Sequence, residues 1–206
     1  MDQKTVNLLV TQAKAFLTRN PYDAGHDLAH AQAVWSTAYD IAAHLDQKVD
    51  LDALQIACYW HDVVIKDKDK LNPAGGNVAD TAAFLENRMK ERQLPPGFIQ
   101  TTIDAVRFHQ FNDEPVNLEG QILWDADKLE AINADRWIHA SQAVKQGKMS
   151  DAELKSYAQT GAQWLKIMRN KLHFPYSQSL FDRRYHLFIS NPVIRQLAGK
   201  YQVVFN

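Results

Sequence analysis

One cysteine, Cys58, is all the thiol the chain contains. That excludes an internal disulfide framework and a cysteine-rich zinc site. Charge of one sign is also missing: 23 lysines and arginines face 24 aspartates and glutamates, for a net charge of -1. No strong field therefore draws the chain to nucleic acid or to an anionic membrane. No uninterrupted run of about 18 apolar residues occurs, so no transmembrane helix is expected. The opening MDQKTVNLLV has no basic stretch followed by a long apolar one, and no secretory signal is expected. A glycine-rich phosphate loop of the P-loop or dinucleotide type is absent too, since Ala74-Gly75-Gly76-Asn77 is too short. These absences point to a cytoplasmic protein with neither a membrane nor a nucleic-acid partner. What remains is 206 residues, 46% of them hydrophobic, enough to bury one substantial core, and eight histidines.

Helical periodicity runs through the chain, with no alternating strand pattern and no repeat. Residues 4–18 place Leu8, Leu9, Ala13, Phe16 and Leu17 toward one side, and Asn20-Pro21 ends that helix. Asp27 is the N-cap candidate of a second helix, striped by Ala31, Val34, Trp35, Ala38, Ile41, Ala42 and Leu45. Asp50 or Asp52 caps a third, with Leu54, Ala57, Cys58 and His61 on one face. Residues 66–76 read as a loop. Further helices are expected over 78–92, 96–108, 118–132, 137–145, 151–172, 177–189 and 192–201. The expected fold is all-α: a single domain over 1–206, its core at about 20–140 and a helical extension at about 150–206. The tail after Pro175 is either a docked helical cap or a small appendage.

His61 continues the apolar stripe of the third helix, and Asp62 lies about 100° further round at its end. His30 precedes Val34 by one turn and borders the stripe of the second helix. Asp127 follows Leu123 by four residues and borders another apolar face. Each has a plain structural reading as a hydrogen-bonded core residue. Taken together, two imidazoles and two carboxylates on three helices are the donors from which a helical bundle assembles a divalent-metal site. Mixed nitrogen and oxygen ligation suits Mn, Fe, Co, Ni, Zn or Mg.

The order His30, His61-Asp62, Asp127 resembles the H…HD…D signature of the HD-domain superfamily of metal-dependent phosphohydrolases. GHDLAHAQAV (25–34) resembles the family's first-histidine helix, and LDALQIACYWHDVV (51–64) its HD helix. NLEGQILWDADKLEAI (117–132) resembles the final-aspartate helix of a subgroup of small bacterial HD hydrolases. The resemblance covers roughly residues 20–140. It implies an HD-type helical bundle with a metal site between helices. The ligands would be His30, His61, Asp62 and Asp127, holding one divalent ion and in some members two. It also implies hydrolysis of a nucleotide or another small phosphate ester or anhydride by metal-activated water, with Asp62 or Asp127 accepting the water's proton.

Six further residues are candidates around such a cleft. His26 is either a contact to the site or an exposed loop residue. His109 is a second-metal ligand, a general acid, or a helix-end residue facing the dipole. Lys66 opens the run Lys66-Asp67-Lys68-Asp69-Lys70, which is either a solvated loop or a source of phosphate-binding cations. Arg107 and Lys128 flank the other segments. Asp125 competes with Asp127, because periodicity alone excludes neither. The resemblance selects Asp127, in the phrase Ala126-Asp127-Lys128-Leu129. His44, His173 and His186 read as structural or surface residues. The competing functional classes are a helical binding or sensor module with a structural or non-catalytic metal site, and a di-iron oxygenase recruiting His26 and His109. Metal content and turnover discriminate among the three.

Overall fold

The computed structural model describes residues 2–19, 26–63 and 78–205. Among these, all regular structure is helical, as the periodicity predicts. The helices are α1 (Gln3–Arg19), α2 (Leu28–Ala43), α3 (Leu51–Trp60), α4 (Val78–Glu91), α5 (Pro96–Arg107), α6 (Leu118–Leu129), α7 (Ala134–Lys145), α8 (Asp151–Lys171), α9 (Pro175–Ser190) and α10 (Pro192–Tyr201). A 3₁₀ turn, Glu130–Ile132, follows α6. Among the described residues, no helix is long and apolar enough to cross a membrane. Lys66, Lys68, Lys70 and the Gly75-Gly76 turn lie outside the described residues.

Three helix boundaries differ from the periodicity by two residues or more. The helix expected through residue 132 tightens into the 3₁₀ turn after Leu129. α7 starts earlier than expected because the Asn133 side chain accepts the Asp135 amide at 3.1 Å and caps the helix there. α9 starts at Pro175, whose fixed φ suits the first helical position and whose missing N–H costs nothing there.

The chain forms two compact units, Met1–Ala126 and Asp127–Asn206, whose boundary falls inside α6. In the first unit α3 is central, packed against α1, α2 and α5, with α4 against α5. Its sequence requires this position: Ala53, Leu54, Ile56, Ala57, Cys58, Tyr59 and Trp60 are all buried, so α3 is apolar on nearly every side. Its start is held by Asp50, whose side chain accepts the Ala53 amide at 3.1 Å and whose own amide donates to Glu119 Oε1 of α6 at 2.8 Å. Its end is held by the Trp60 indole, which donates to the Leu9 carbonyl of α1 at 3.0 Å. Just beyond, the Thr81 hydroxyl of α4 donates to the Val63 carbonyl. The turn carrying His61 and Asp62 is thus tethered on both sides. α6 approaches α5 closely at Gly120, where a Cβ would lie 3.4 Å from the Ala105 Cα and 2.9 Å from Asn117 Oδ1.

In the second unit α10 packs against α7, α8 and α9, and α8 packs against α7 and α9. The tail after Pro175 forms α9 and α10 here. Trp137 is 1% exposed and is surrounded by the rings of Tyr157, Phe188 and Phe205. Gly161 of α8 gives the indole its space, since a Cβ there would lie 2.8 Å from Trp137 Cη2. Alanine for glycine inside a helix ordinarily gains about 1 kcal/mol. Here the added methyl meets a rigid buried ring, and overpacking costs about 1–3 kcal/mol. Gly161→Ala is therefore expected to lower the melting temperature despite its helix propensity, and thermal denaturation checks the sign.

Candidate metal centre

The N-terminus of α2 sets the first histidine. Asp27 caps the helix by accepting the His30 amide at 3.0 Å, which puts His30 in the first turn with 8% exposure. The C-terminus of α3 sets the second. His61 is the C-cap residue, 2% exposed, and Asp62 follows in the turn. Helix ends bring the two together: His30 Nε2 is 3.2 Å from Asp62 Oδ2, and His61 Nε2 is 3.0 Å from the same oxygen. The His30 and His61 rings are 5.4 Å apart at their centroids.

The protonation of this cluster follows from a backbone contact. His61 Nδ1 lies 2.8 Å from the Cys58 carbonyl. A carbonyl only accepts, so Nδ1 carries a proton, and Nε2 is left toward Asp62, as a lone pair in the neutral ring and as a second N–H donor in the imidazolium. Burial works against ionising Asp62. The charge of His61, the hydrogen bonds from His30 and His61 and the charge of His26 outweigh it, and the carboxyl stays well below the usual carboxylate range. Two imidazole nitrogens therefore face one carboxylate oxygen. Only a cation reconciles them, either a proton on each ring or one divalent ion shared by all three.

The donor set fits the ion. His30, His61 and Asp62 each offer one ligand atom, and all three atoms lie within 4.8 Å of one another. Metal bonds of about 2.1 Å at right angles separate neighbouring donors by about 3 Å. The observed nitrogen-to-oxygen separations are 3.2 and 3.0 Å. Two imidazoles and one carboxylate exclude a soft thiolate-type site and suit a borderline or hard divalent metal.

The remaining candidates fall around this centre or elsewhere. His109, 4% exposed, follows the end of α5; its Nδ1 donates to the Val106 carbonyl at 2.6 Å, and its Nε2 is 3.9 Å from Asp62 Oδ1. Its ring is 5.1 Å from that of His61. The Trp124 indole of α6 donates to the Gln110 carbonyl at 3.0 Å and fixes the segment beside His109. His26 is half-buried, with its ring 5.6 Å from that of His30. Asp125 is fully buried on α6. Asp127, also on α6, opens the second unit, and its carboxylate meets the Lys128 ammonium; both side chains are largely covered, at 11% and 14% exposure. Lys66 lies outside the described residues. Sequence reasoning missed the Cys58 and Val106 carbonyls that orient His61 and His109. Each stands three residues before its histidine at a helix end, a spacing that is the only sequence signal for them.

The HD domain family model matches residues 27–132, just over half of the chain. No curated protein matches. Several solved structures share the fold. A Lactobacillus plantarum protein is 18% identical, covering 98% of this chain and 99% of its own, with a TM-score of 0.70. Bacillus subtilis YpgQ, solved in complex with ADP, is 21% identical over 95% of this chain and 97% of its own, with a TM-score of 0.64. A predicted HD superfamily hydrolase from an uncultured Thermotogales bacterium is 21% identical over 97% of this chain and 92% of its own, at a TM-score of 0.61. The matched segment begins at the cap of α2, takes in the His30, His61 and Asp62 cluster and ends with the 3₁₀ turn. The chain therefore belongs to the HD-domain family.

Proposed function

We propose that this chain is a metal-dependent phosphohydrolase acting on a nucleotide or another small phosphate ester or anhydride. The observation that carries the reading is the convergence of His30 Nε2 and His61 Nε2 on Asp62 Oδ2, at 3.2 and 3.0 Å. Asp127 is the fourth ligand in this reading. Its support is its place in the Ala-Asp-Lys-Leu phrase and its position one turn after the buried Leu123 on α6. The ion is one of Mn, Mg, Fe, Ni, Co or Zn, with a second ion an open alternative.

A divalent ion held there by His30, His61 and Asp62 would supply Lewis acidity to a phosphoryl oxygen and would lower the pKa of bound water toward about 7. The protein's own groups do the rest. The Cys58 carbonyl holds the His61 ring in the tautomer that presents Nε2. Asp62 has one carboxylate oxygen committed to the histidines and a second, Oδ1, toward His109 Nε2 at 3.9 Å. That oxygen is placed to take a proton, and His109 to receive or return it, its Nδ1 being tied to Val106. His26, ring against ring with His30, borders the same centre and supplies a further contact for a ligand. Lys66, four residues after Asp62 in sequence, is the cation that offsets phosphate charge. Nucleotides are favoured among phosphate compounds because a protein of the same fold, YpgQ, holds ADP.

The test is a screen of nucleoside mono-, di- and triphosphates against several divalent metals, with product analysis to separate phosphate from pyrophosphate release. Metal-dependent turnover of at least one nucleotide is expected. A metal-free protein without turnover would return the chain to the class of binding modules, and two irons with oxygen consumption to that of di-iron oxygenases. Within an active preparation, Lys66→Ala is expected to raise KM or lower kcat several-fold while leaving bound metal unchanged. Unchanged kinetics on the true substrate would make the Lys-Asp run a solvated loop.

A further inference from the structure

We propose that Trp124 is a positioning residue: its indole N–H holds the segment after α5 so that His109 stands beside Asp62. This rests on the phosphohydrolase reading, in which Asp62 and His109 move the proton, and deepens it. Trp124, Gln110, His109 and Asp62 all belong to the first unit, Met1–Ala126. His109 is the second residue beyond α5 and is 4% exposed. Its ring is tied to α5 through the Val106 carbonyl, 2.6 Å from Nδ1. Its backbone has left the helix, where the hydrogen-bond ladder no longer fixes it. The residues that follow form a turn with bonds of its own. The Gln110 amide donates to Asp113 Oδ2, and the Asp113 amide donates to the Gln110 carbonyl, both at 3.0 Å. Such bonds set the shape of the turn, but they move with it.

The Trp124 indole comes from outside the turn. It belongs to α6 and donates to the same Gln110 carbonyl at 3.0 Å. The ring that carries this N–H is packed: Trp124 is 2% exposed and stacks on Phe111 at 5.9 Å between centroids. The helix beneath it is fixed to α5 at its start. There the Asn117 side chain donates to the Thr101 carbonyl at 3.0 Å and accepts the Gly120 amide at 2.7 Å. Trp124 therefore sets where the turn sits, while the local bonds set its shape. Placement matters because the margin is small. His109 Nε2 is 3.9 Å from Asp62 Oδ1, about 1 Å beyond hydrogen-bond distance. A small movement of the ring closes that gap, or an oxygen of water or substrate bridges it. In such a constellation a misplacement of about 1 Å is enough to cost about a hundredfold in rate.

The test pairs a spectroscopic readout with a kinetic one on the full chain. In long-range proton–nitrogen correlation spectra, the neutral His109 ring is expected as the Nδ1-protonated tautomer, assigned by its loss in His109→Gln. Trp124→Phe keeps an aromatic ring against Phe111 and removes the N–H. It is expected to move the His109 pattern toward the average of the two tautomers and to leave that of His61 unchanged. With Mn²⁺ and bis(p-nitrophenyl) phosphate as the probe, kcat is expected to fall about tenfold or more, with Mn²⁺ affinity unchanged. In a His109→Gln background, Trp124→Phe is expected to cause no further loss of kcat, because both changes act through one ring. Replacing Trp124 by benzothienylalanine, which keeps the shape of indole and lacks the N–H, repeats the test should Trp124→Phe fail to fold. A lowered melting temperature with an unchanged His109 pattern would reduce Trp124 to a packing residue. Equal losses of kcat with and without His109 would show that Trp124 acts by another route. Either result overturns the assignment. A wild type that turns over neither this probe nor any nucleotide, with the His109 pattern still moved by Trp124→Phe, would overturn the phosphohydrolase reading and leave the tether standing.

Discussion

His61→Ala is expected to abolish metal binding and to leave the far-ultraviolet circular dichroism of the helices nearly unchanged. His61 is the C-cap residue of α3, so truncation leaves the helix's backbone ladder intact and removes the ring's bond to the Cys58 carbonyl of the last turn. What it holds is the centre: its Nε2 is 3.0 Å from Asp62 Oδ2 and its Nδ1 donates to the Cys58 carbonyl. Truncation removes one donor and leaves that carbonyl without this partner, a cost of about 1–3 kcal/mol to stability rather than a loss of fold. A metal-linked shift in melting temperature gives a second readout. An ion present at one hundred times its dissociation constant stabilises the wild-type chain by about 2.7 kcal/mol. For a chain of this size that corresponds to roughly 5–10 °C. Chelation is expected to remove this increment from the wild type and to have no effect on His61→Ala. Wild-type metal content in the variant would overturn the assignment.

Asp127→Asn is expected to weaken metal affinity by an order of magnitude or more, whereas Asp125→Asn is expected to bind metal nearly as well as the wild type. Two residues apart on α6, the aspartates point about 200° from each other and cannot serve one ion equally. Asparagine keeps the shape of the side chain and removes the charge, so the comparison isolates what the ligand charge contributes. Asp125 is fully buried beside Trp124, whose indole anchors Gln110. Its neutralisation is expected to be felt in packing around α6, with at most a moderate loss of rate. Metal titration of the two variants decides. The reverse order of affinities would rotate the assignment to Asp125.

The helices were legible because their apolar spacing is local and strong, and two of their starts because aspartate is a good cap: Asp27 and Asp50 both accept amides in the first turn they precede. The 3₁₀ turn was not, since the apolar spacing continues through Ile132 and only the backbone reveals the tighter winding. Nor was the earlier start of α7, set by one side-chain bond from Asn133. At the centre, periodicity put His30 and His61 at the edges of two apolar stripes but had no means of bringing two helices together. The family resemblance did that, and it alone preferred Asp127 to Asp125. The bond from the Trp124 indole to Gln110 carries no local pattern at all, because 14 residues separate its members.

The rings of His61 and His109 are each steered by a main-chain oxygen three residues earlier, at Cys58 and Val106. Many metal-site histidines are instead oriented by a carboxylate from another part of the fold. A carboxylate partner can be lost by a single substitution; a carbonyl cannot. The side chains at Cys58 and Val106 are thus free to drift as far as packing allows, and the direction in which both imidazoles point survives the change. Cys58→Ser or Val106→Ile should alter stability before it alters metal selectivity. Evolution of this centre is therefore confined to the donors themselves and to the lengths of the two helices that end beside them.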